Sequence, residues 1–143
     1  MMIEDLKTQI ELTWNDRALL KVAASKEAIH EVIELLDKGK LRVAEKVATD
    51  WQVNEWVKKA ILLYFPICES KTIEAGPFEF FDKIPTKKDY ASQQVRVVPQ
   101  AIARYGSYLA PNVIMMPSYV NIGAYVDAGT ICLLYTSPSP RDS

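Results

Sequence analysis

The chain has 143 residues, of which 49% are apolar, and its 17 Lys and Arg against 18 Asp and Glu leave a net charge of −1. This length suits one ordinary domain with an apolar core, and no basic stripe of the kind that binds nucleic acid is present. The longest apolar run, residues 60–65, is far too short to span a membrane. The polar start resembles no secretory signal, and Cys68 and Cys132 stand too far apart for a disulfide framework or a zinc motif. We therefore expect a cytoplasmic protein without a metal, a membrane or a nucleic acid as partner.

Two amphipathic helices are predicted at the start of the chain. In the first, apolar residues recur at helical spacing at Ile3, Leu6, Ile10 and Trp14. The second has Ser25 as its expected N-cap and Gly39 where a left-handed residue would end it. Its apolar stripe consists of Ile29, Val32, Ile33 and Leu36.

Residues 41–99 predict a mixture of short elements. Residues 41–47 favour a strand, and Asn54 is placed to cap a third helix that Pro66 should stop. Residues 67–81 are irregular with room for short strands, and residues 85–89 favour a loop.

From Ile102 to Ile131 the sequence repeats in units of six. The first position of each unit is apolar, at Ile102, Tyr108, Ile114, Val120 and Val126. The fourth position collects Pro111, Pro117, Gly123 and Gly129. Such a period is typical of a parallel β-helix, in which each unit forms a short strand and a corner, three units form a triangular coil, and the first-position residues stack in the core. The alternative, a pair of antiparallel strands, is disfavoured because each proline would remove a ladder donor from a strand.

After Ile131 the repeat stops. Residues 132–143 continue neither the apolar nor the proline and glycine positions, and they read like the conceptual translation of a sequencing adapter. We interpret them as a non-native tail, with a genuine short tail as the alternative. Repeat arrays need about three or more stacked units, so we expect the front part of a longer protein. The expected division is a helical domain at 1–98, the start of the β-helix at 99–131 and the tail.

Five sequence words, taken in order, resemble one known family. They are LLDKGKLRVAEK at 35–46, WVKKAILLYF at 56–65, FFDKIP at 80–85, VRVVP at 95–99 and MPSYVNIGAYVDAGT at 116–130. Together they are similar to the bacterial tetrahydrodipicolinate N-succinyltransferases, and the resemblance extends over residues 1–131. It implies an α/β composite fold, in which a mainly helical (α+β) domain precedes the first coils of a left-handed parallel β-helix. The hand follows from the resemblance, because periodicity does not give it.

The resemblance also implies an activity and an assembly. In the family, succinyl-CoA donates its succinyl group to the amine derived from tetrahydrodipicolinate, on the route to diaminopimelate and lysine. Succinyl-CoA is a co-substrate, and no bound cofactor is expected. Family members are homotrimers with active sites in the grooves between neighbouring β-helices.

Three residues are candidates for the site. Arg96 matches the substrate-binding arginine of the family's VRVVP word, and a guanidinium suits the planar carboxylates of the acceptor. Arg104, inside the first six-residue unit, and Asp127, after Val126, are weaker candidates for substrate binding and general base, because either could simply face solvent. The family's substrate-contacting aspartate falls beyond Thr130, at a position that Leu133 occupies here, so no catalytic residue is assigned in this chain.

Two other functions remain open from the sequence. One is a non-catalytic oligomerisation or interaction module, and the other is a different hexapeptide acyl-CoA transferase with an acetyl donor or a sugar acceptor. The LRVAEK and FDKIP words favour the succinyltransferase over the latter. Because the family's CoA-binding surface comes from later coils, the chain is expected to be inactive alone.

Overall fold

A computed structural model describes residues 2–133 of the protein, so the predicted tail beyond residue 133 lies outside the described residues. Within that range the helices are α1 (Ile3–Asn15), α2 (Ala23–Asp37) and α3 (Glu55–Ile67), with a 3₁₀ turn at Arg17–Lys21 between the first two. All three predicted helices are therefore confirmed, whereas the 3₁₀ turn was not predicted.

The three helices pack against one another around a shared apolar core. Leu6 and Ile10 of α1 contribute to it, as do Ile29 and Ile33 of α2 and Leu63 of α3, and each of these side chains is fully buried. Their spacing along each helix is the three-to-four-residue period that the sequence shows, so one stripe of each helix is buried.

Two of the predicted helix ends are wrong in detail. Helix α2 begins at Ala23, and the Ser25 hydroxyl is instead fully buried, where it contacts Thr13 Oγ1 at 2.8 Å and accepts a hydrogen bond from Gln9 Nε2. Asn54 precedes α3 as predicted, but its side-chain amide donates to the carbonyl of Arg42 at 2.8 Å. Both polar side chains join separate segments, because tertiary partners compete with the local cap.

Gly39 ends α2 as predicted. Its φ is +73°, its N–H donates to the Leu36 carbonyl, and the N–H of Lys40 donates to the Leu35 carbonyl. This pair of bonds is a Schellman motif, which requires a left-handed residue at the position of Gly39. The glycine also lies against the ring of Tyr108, which a Cβ atom would approach to 2.8 Å.

Replacing Gly39 with alanine is expected to destabilise the protein by about 1–3 kcal/mol more than the same change at Gly76. Both glycines have a positive φ, so both variants carry the left-handed strain of an L-residue, but a Cβ at Gly76 meets no atom within 4 Å. The excess isolates the collision with Tyr108, and urea unfolding of the two variants measures it. Equal losses of stability in the two variants would show that the Tyr108 ring can move away from α2 at little energetic cost.

Two antiparallel hairpins flank α3. Strands β1 (Ala44–Val47) and β2 (Asp50–Val53) form the first, and β3 (Lys71–Ala75) and β4 (Phe78–Asp82) form the second. The predicted strand is therefore shorter than expected and pairs with a second strand that was not predicted. The short strands allowed for in the irregular region are confirmed.

From Arg96 onward the described chain is a stack of two-residue strands. They are β5 (Arg96–Val97), β6 (Ile102–Ala103), β7 (Tyr108–Leu109), β8 (Ile114–Met115), β9 (Tyr119–Val120), β10 (Tyr125–Val126) and β11 (Ile131–Cys132). They pair in parallel as three separate sheets, β5–β8–β11, β6–β9 and β7–β10. Paired strands lie 17 or 18 residues apart, which is one triangular coil. The parallel pairing confirms the coil and excludes the antiparallel alternative.

The predicted interior column is wrong by one residue in its first three units. The residues observed in the interior column are Ala103, Leu109, Met115, Val120, Val126 and Cys132, and the first four of these are buried. The expected residues Ile102, Tyr108 and Ile114 are only half-buried. The expected stacking of first-position residues on one another is also wrong, since residues six apart lie on neighbouring sheets. Stacked partners are one coil apart, as Ala103 is with Val120.

The phase error has a local cause at one corner of the coil. Left-handed residues recur every six positions at Gln94, Gln100, Gly106 and Asn112, and again at Gly123 and Gly129. The corner between β8 and β9, which contains Pro117, is one residue shorter and has no such residue. When interior positions are assigned every six residues backwards from Val126, the assignment is therefore wrong by one residue for every unit before Pro117.

Candidate functional site

Arg96 lies on the outer part of the coil with an exposed side chain. Its main chain is fixed, because its N–H donates to the Val113 carbonyl at 3.0 Å and Val95 before it is buried. Its side chain is exposed, and within residues 2–133 its guanidinium has no hydrogen bond or ion pair. A guanidinium on a fixed strand with all its donors available is suited to binding a carboxylate by two parallel bonds.

Arg104 is already paired. Its Nη2 donates to Asp82 Oδ2 at 2.8 Å, and its Nη1 lies 3.4 Å from Asn121 Oδ1. The pair joins the β3–β4 hairpin to the coil, and Arg104 forms part of the wall of a cleft of about 450 Å³ together with Phe80 and Tyr119. The ion pair with Asp82 therefore gives this arginine a structural role.

Asp127 is bonded within its own corner. Its Oδ1 accepts the N–H of Ala128 at 2.8 Å, and its carbonyl accepts the N–H of Thr130 at 3.3 Å. The carboxylate is exposed. This is the geometry of an aspartate that stabilises a turn.

The structure does not bring the three candidates together in one copy of the chain. Arg96 belongs to the β5–β8–β11 sheet, Arg104 follows the β6 strand of a second sheet, and Asp127 follows the β10 strand of the third. Within residues 2–133 no hydrogen bond or ion pair connects them. Leu133, at the position of the expected aspartate, is half-buried. No described contact therefore assembles these residues into one site within a single copy of the chain.

A buried charged network that the sequence did not reveal joins α2 to the coil. Lys87 Nζ donates to Asp37 Oδ1 at 2.7 Å and to the Ser107 carbonyl at 2.8 Å, and both charged side chains are less than a tenth exposed. Asp37 Oδ1 also accepts the N–H of Gly106 at 2.9 Å. The hydrogen bond to Asp37 raises the pKa of the neighbouring Lys38 ammonium. The partners of the pair are 50 residues apart, so no local pattern could have indicated it.

Aromatic side chains extend the same junction. Tyr105 Oη donates to Glu34 Oε1 at 2.7 Å. Burial is the main cause that raises the pKa of Tyr105 above its ordinary value, and the hydrogen bond to the Glu34 carboxylate is the second cause. The guanidinium carbon of Arg42 lies 3.7 Å from the ring centre of Tyr125, and that ring centre lies 4.8 Å from the ring centre of Tyr108, with the two rings tilted by 42°. These contacts fix the helices against the coil that carries Arg96.

The two cysteines have the character of inert thiols. Burial raises the pKa of Cys68 and of Cys132, so the thiolate is disfavoured at both positions. Burial also raises the pKa of Tyr64, beside Cys68, to about 12. Within the described residues no group of three His, Cys, Asp or Glu is placed to hold a metal ion, and none of the described helices is long and apolar enough to cross a membrane.

Comparison with known proteins gives one family name in two separate searches. A family model described as the tetrahydrodipicolinate N-succinyltransferase N-terminal domain matches residues 5–67. A relative from Paraburkholderia phymatum, a 2,3,4,5-tetrahydropyridine-2,6-dicarboxylate N-succinyltransferase by name, is 49% identical over 139 aligned positions, and the match covers 90% of this chain and 50% of the relative. The similarity of the chain is therefore to the tetrahydrodipicolinate N-succinyltransferase family. The resemblance carried by the five sequence words is thereby confirmed.

Further relatives with the same printed name match this chain to a similar extent. Those from Paraburkholderia phytofirmans and Burkholderia cenocepacia are 48% and 47% identical over 137 residues, covering 88% of this chain and 50% of each relative. The chain thus spans about half the length of the curated relatives it matches.

Proposed function

We propose that this chain forms the acceptor-binding part of an enzyme that transfers a succinyl group from succinyl-CoA to the amine derived from tetrahydrodipicolinate. The observation that supports this most strongly is the 49% identity, over 90% of the chain, to a relative named for that reaction. Matches that include all three helices favour this function over another hexapeptide acyltransferase, because the six-residue repeat alone would fit either.

In this proposal Arg96 binds a carboxylate of the acceptor. The guanidinium is exposed, unpaired within residues 2–133 and attached to a strand whose main chain is hydrogen-bonded. Two parallel N–H bonds to a carboxylate would fix the direction of the acceptor as well as its position. Arg104, which Asp82 already holds, is better placed to support the cleft than to bind substrate.

The reaction itself needs a neutral amine. The amine nitrogen attacks the thioester carbonyl carbon of succinyl-CoA, a C–N bond forms, the C–S bond breaks, and the CoA thiolate leaves. The amine proton must pass to a base. Asp127 is bonded to its own corner, and Leu133 stands where the family has its aspartate, so we place the base on groups beyond the described residues of one copy.

An assembly of several copies is part of the same proposal. Since the candidates lie on three different sheets, a groove between neighbouring coils would combine Arg96 of one copy with groups of another. We propose the homotrimer of the family, with a left-handed coil, a cytoplasmic location, and the division into a helical unit at 1–98 and a coil unit at 99–131. The first strand of the coil, β5, lies just before that boundary.

A chimera tests the proposed function. Residues 1–131 of this chain are joined to the half of the Paraburkholderia phymatum relative that they do not match, and release of the CoA thiol is followed with tetrahydrodipicolinate as acceptor. We expect thiol release that requires the acceptor and that is much faster with succinyl-CoA than with acetyl-CoA. Release at equal rates from both donors, or release without acceptor, would contradict the proposal. The intact relative is the positive control.

A further inference from the structure

The outer face of the β5–β8–β11 sheet carries one cation followed by two isoleucines. In the parallel pairing Arg96 is the partner of Ile114, and Ile114 is the partner of Ile131. Side chains at paired positions stand on the same side of a sheet, so these three form one row across the strands. The row therefore runs along the axis of the coil, with about 4.8 Å from one strand to the next.

The two isoleucines of this row are not part of the apolar core of the described residues. Ile114 is half-buried and Ile131 is 36% exposed, and neither packs against either of the two buried clusters. The next residue on the same strand, Met115, is by contrast fully buried inside the coil. Ile114 thus presents apolar surface on the outside of the sheet, directly beside the exposed guanidinium of Arg96.

The other two outer faces of the described coil have different surroundings. Ile102 and Tyr119, which are paired on β6 and β9, form part of the wall of the cleft beside the β3–β4 hairpin. Tyr108 and Tyr125, which are paired on β7 and β10, lie against the junction with the helices. Among these faces, the one that carries Arg96 combines an aliphatic row with a guanidinium that has no described partner.

We propose that the row formed by Arg96, Ile114 and Ile131 binds an open-chain dicarboxylate along the axis of the coil, and that Ile114 sets the chain length that is accepted. The Arg96 guanidinium holds one carboxylate, and the methylene groups of the ligand lie against Ile114 and continue toward Ile131. The inference rests on the proposed function, whose acceptor is an open-chain dicarboxylate, and it adds a specificity-determining residue to that site. A shorter ligand keeps the ionic contact but loses apolar contact.

Titration of the full chain with pimelate and with glutarate tests this inference, because these dicarboxylates carry the same charges and differ only in the length of the methylene chain. With the isoleucine methyl groups labelled for NMR, we expect pimelate to shift the Ile114 and Ile131 signals until they saturate. Ile102, which is also half-buried on an outer face, is the internal control and should not shift. Pimelate should bind at least about fivefold more tightly than glutarate, because each methylene group removed from water favours binding.

Matched variants test whether Ile114 is the origin of this preference. Ile114→Thr keeps the branch at Cβ that suits a strand but loses apolar surface, so the preference for pimelate should fall to less than about twofold. Ile102→Thr should leave the preference unchanged. Arg96→Met removes the contact that both ligands share and should weaken both at least about tenfold. Thermal unfolding shows whether each variant folds, and the methyl shifts of the unmodified chain do not depend on any variant.

Several results would overturn the inference. Pimelate could leave the Ile114 signals unshifted or shift those of Ile102 equally, the unmodified chain could bind both dicarboxylates with equal affinity, or Ile114→Thr could keep the full preference. A row that serves as a contact between copies would also overturn it, and would be recognised by Ile114 signals that change on dilution of the chain without ligand and do not respond to pimelate.

The binding test and the chimera assay can fail separately. Binding is measured without succinyl-CoA, so an inactive chimera would leave this inference standing. An active chimera together with Ile114 signals that do not respond to pimelate would leave the proposed function standing and remove the role of Ile114.

Discussion

Replacing Lys87 with methionine is expected to lower the free energy of unfolding by about 3–5 kcal/mol, which is the usual effect of removing one partner from a buried ion pair. The Lys87 and Asp37 side chains are 4% and 7% exposed. Without the ammonium, the partners left to the buried Asp37 carboxylate within residues 2–133 are the Gly106 N–H and Lys38, and the Ser107 carbonyl loses the Lys87 donor. Urea unfolding measures the loss.

The matched control is Lys59→Met. Lys59 pairs with Glu11 at 2.9 Å, but the two side chains are 29% and 35% exposed, so water stabilises the remaining carboxylate. This change should therefore lose no more than about 1 kcal/mol. Combining Lys87→Met with Asp37→Leu removes both charges and should recover part of the stability that Lys87→Met loses. A loss at Lys87 no larger than that at Lys59 would show that the network does not hold the helices to the coil.

The elements that the sequence predicted are those whose signal is local and periodic. Leu6 and Ile10 lie one helical turn apart, and Gly39 ends α2 because the chain needs a left-handed residue there. The repeat of six likewise predicted parallel coils. The predicted interior positions were wrong by one residue before Pro117, because the corner that contains Pro117 is one residue shorter than the others. A fixed period of six does not show this shorter corner, whereas the spacing of the left-handed residues does.

The contacts that the sequence could not predict are those between distant segments. Ser25 has the residue type of an N-cap, but its hydroxyl binds Thr13, and no rule for single helices contains that partner. The pairing of Lys87 with Asp37 depends on how α2 meets the coil. Similarly, the candidate site residues lie on three different sheets, and which sheet a strand joins depends on its pairing with a strand one coil away.

Of the proposed site residues, Arg96 carries the largest expected effect on activity. In the chimera, Arg96→Met is expected to lower kcat/KM for the acceptor by about 100-fold or more, since hydrogen bonds to charged groups are worth about 1.5–3 kcal/mol each and the guanidinium would make two. The KM for succinyl-CoA should stay nearly unchanged, because the proposed contact is with the acceptor alone. Initial rates of thiol release, with each substrate varied in turn, give both quantities.

Two further arginine substitutions separate recognition from charge and from general damage. Arg96→Lys keeps the positive charge but loses the planar pair of donors, so its activity should fall between that of the unmodified chimera and Arg96→Met. Arg17→Met removes an equally exposed guanidinium that stacks on Trp14, in the turn between α1 and α2, and should leave the kinetics unchanged. Because the Arg96 side chain has no partner within residues 2–133, its removal should not lower the unfolding temperature. If activity survives Arg96→Met, the acceptor carboxylate is bound elsewhere and Arg96 is an ordinary surface arginine.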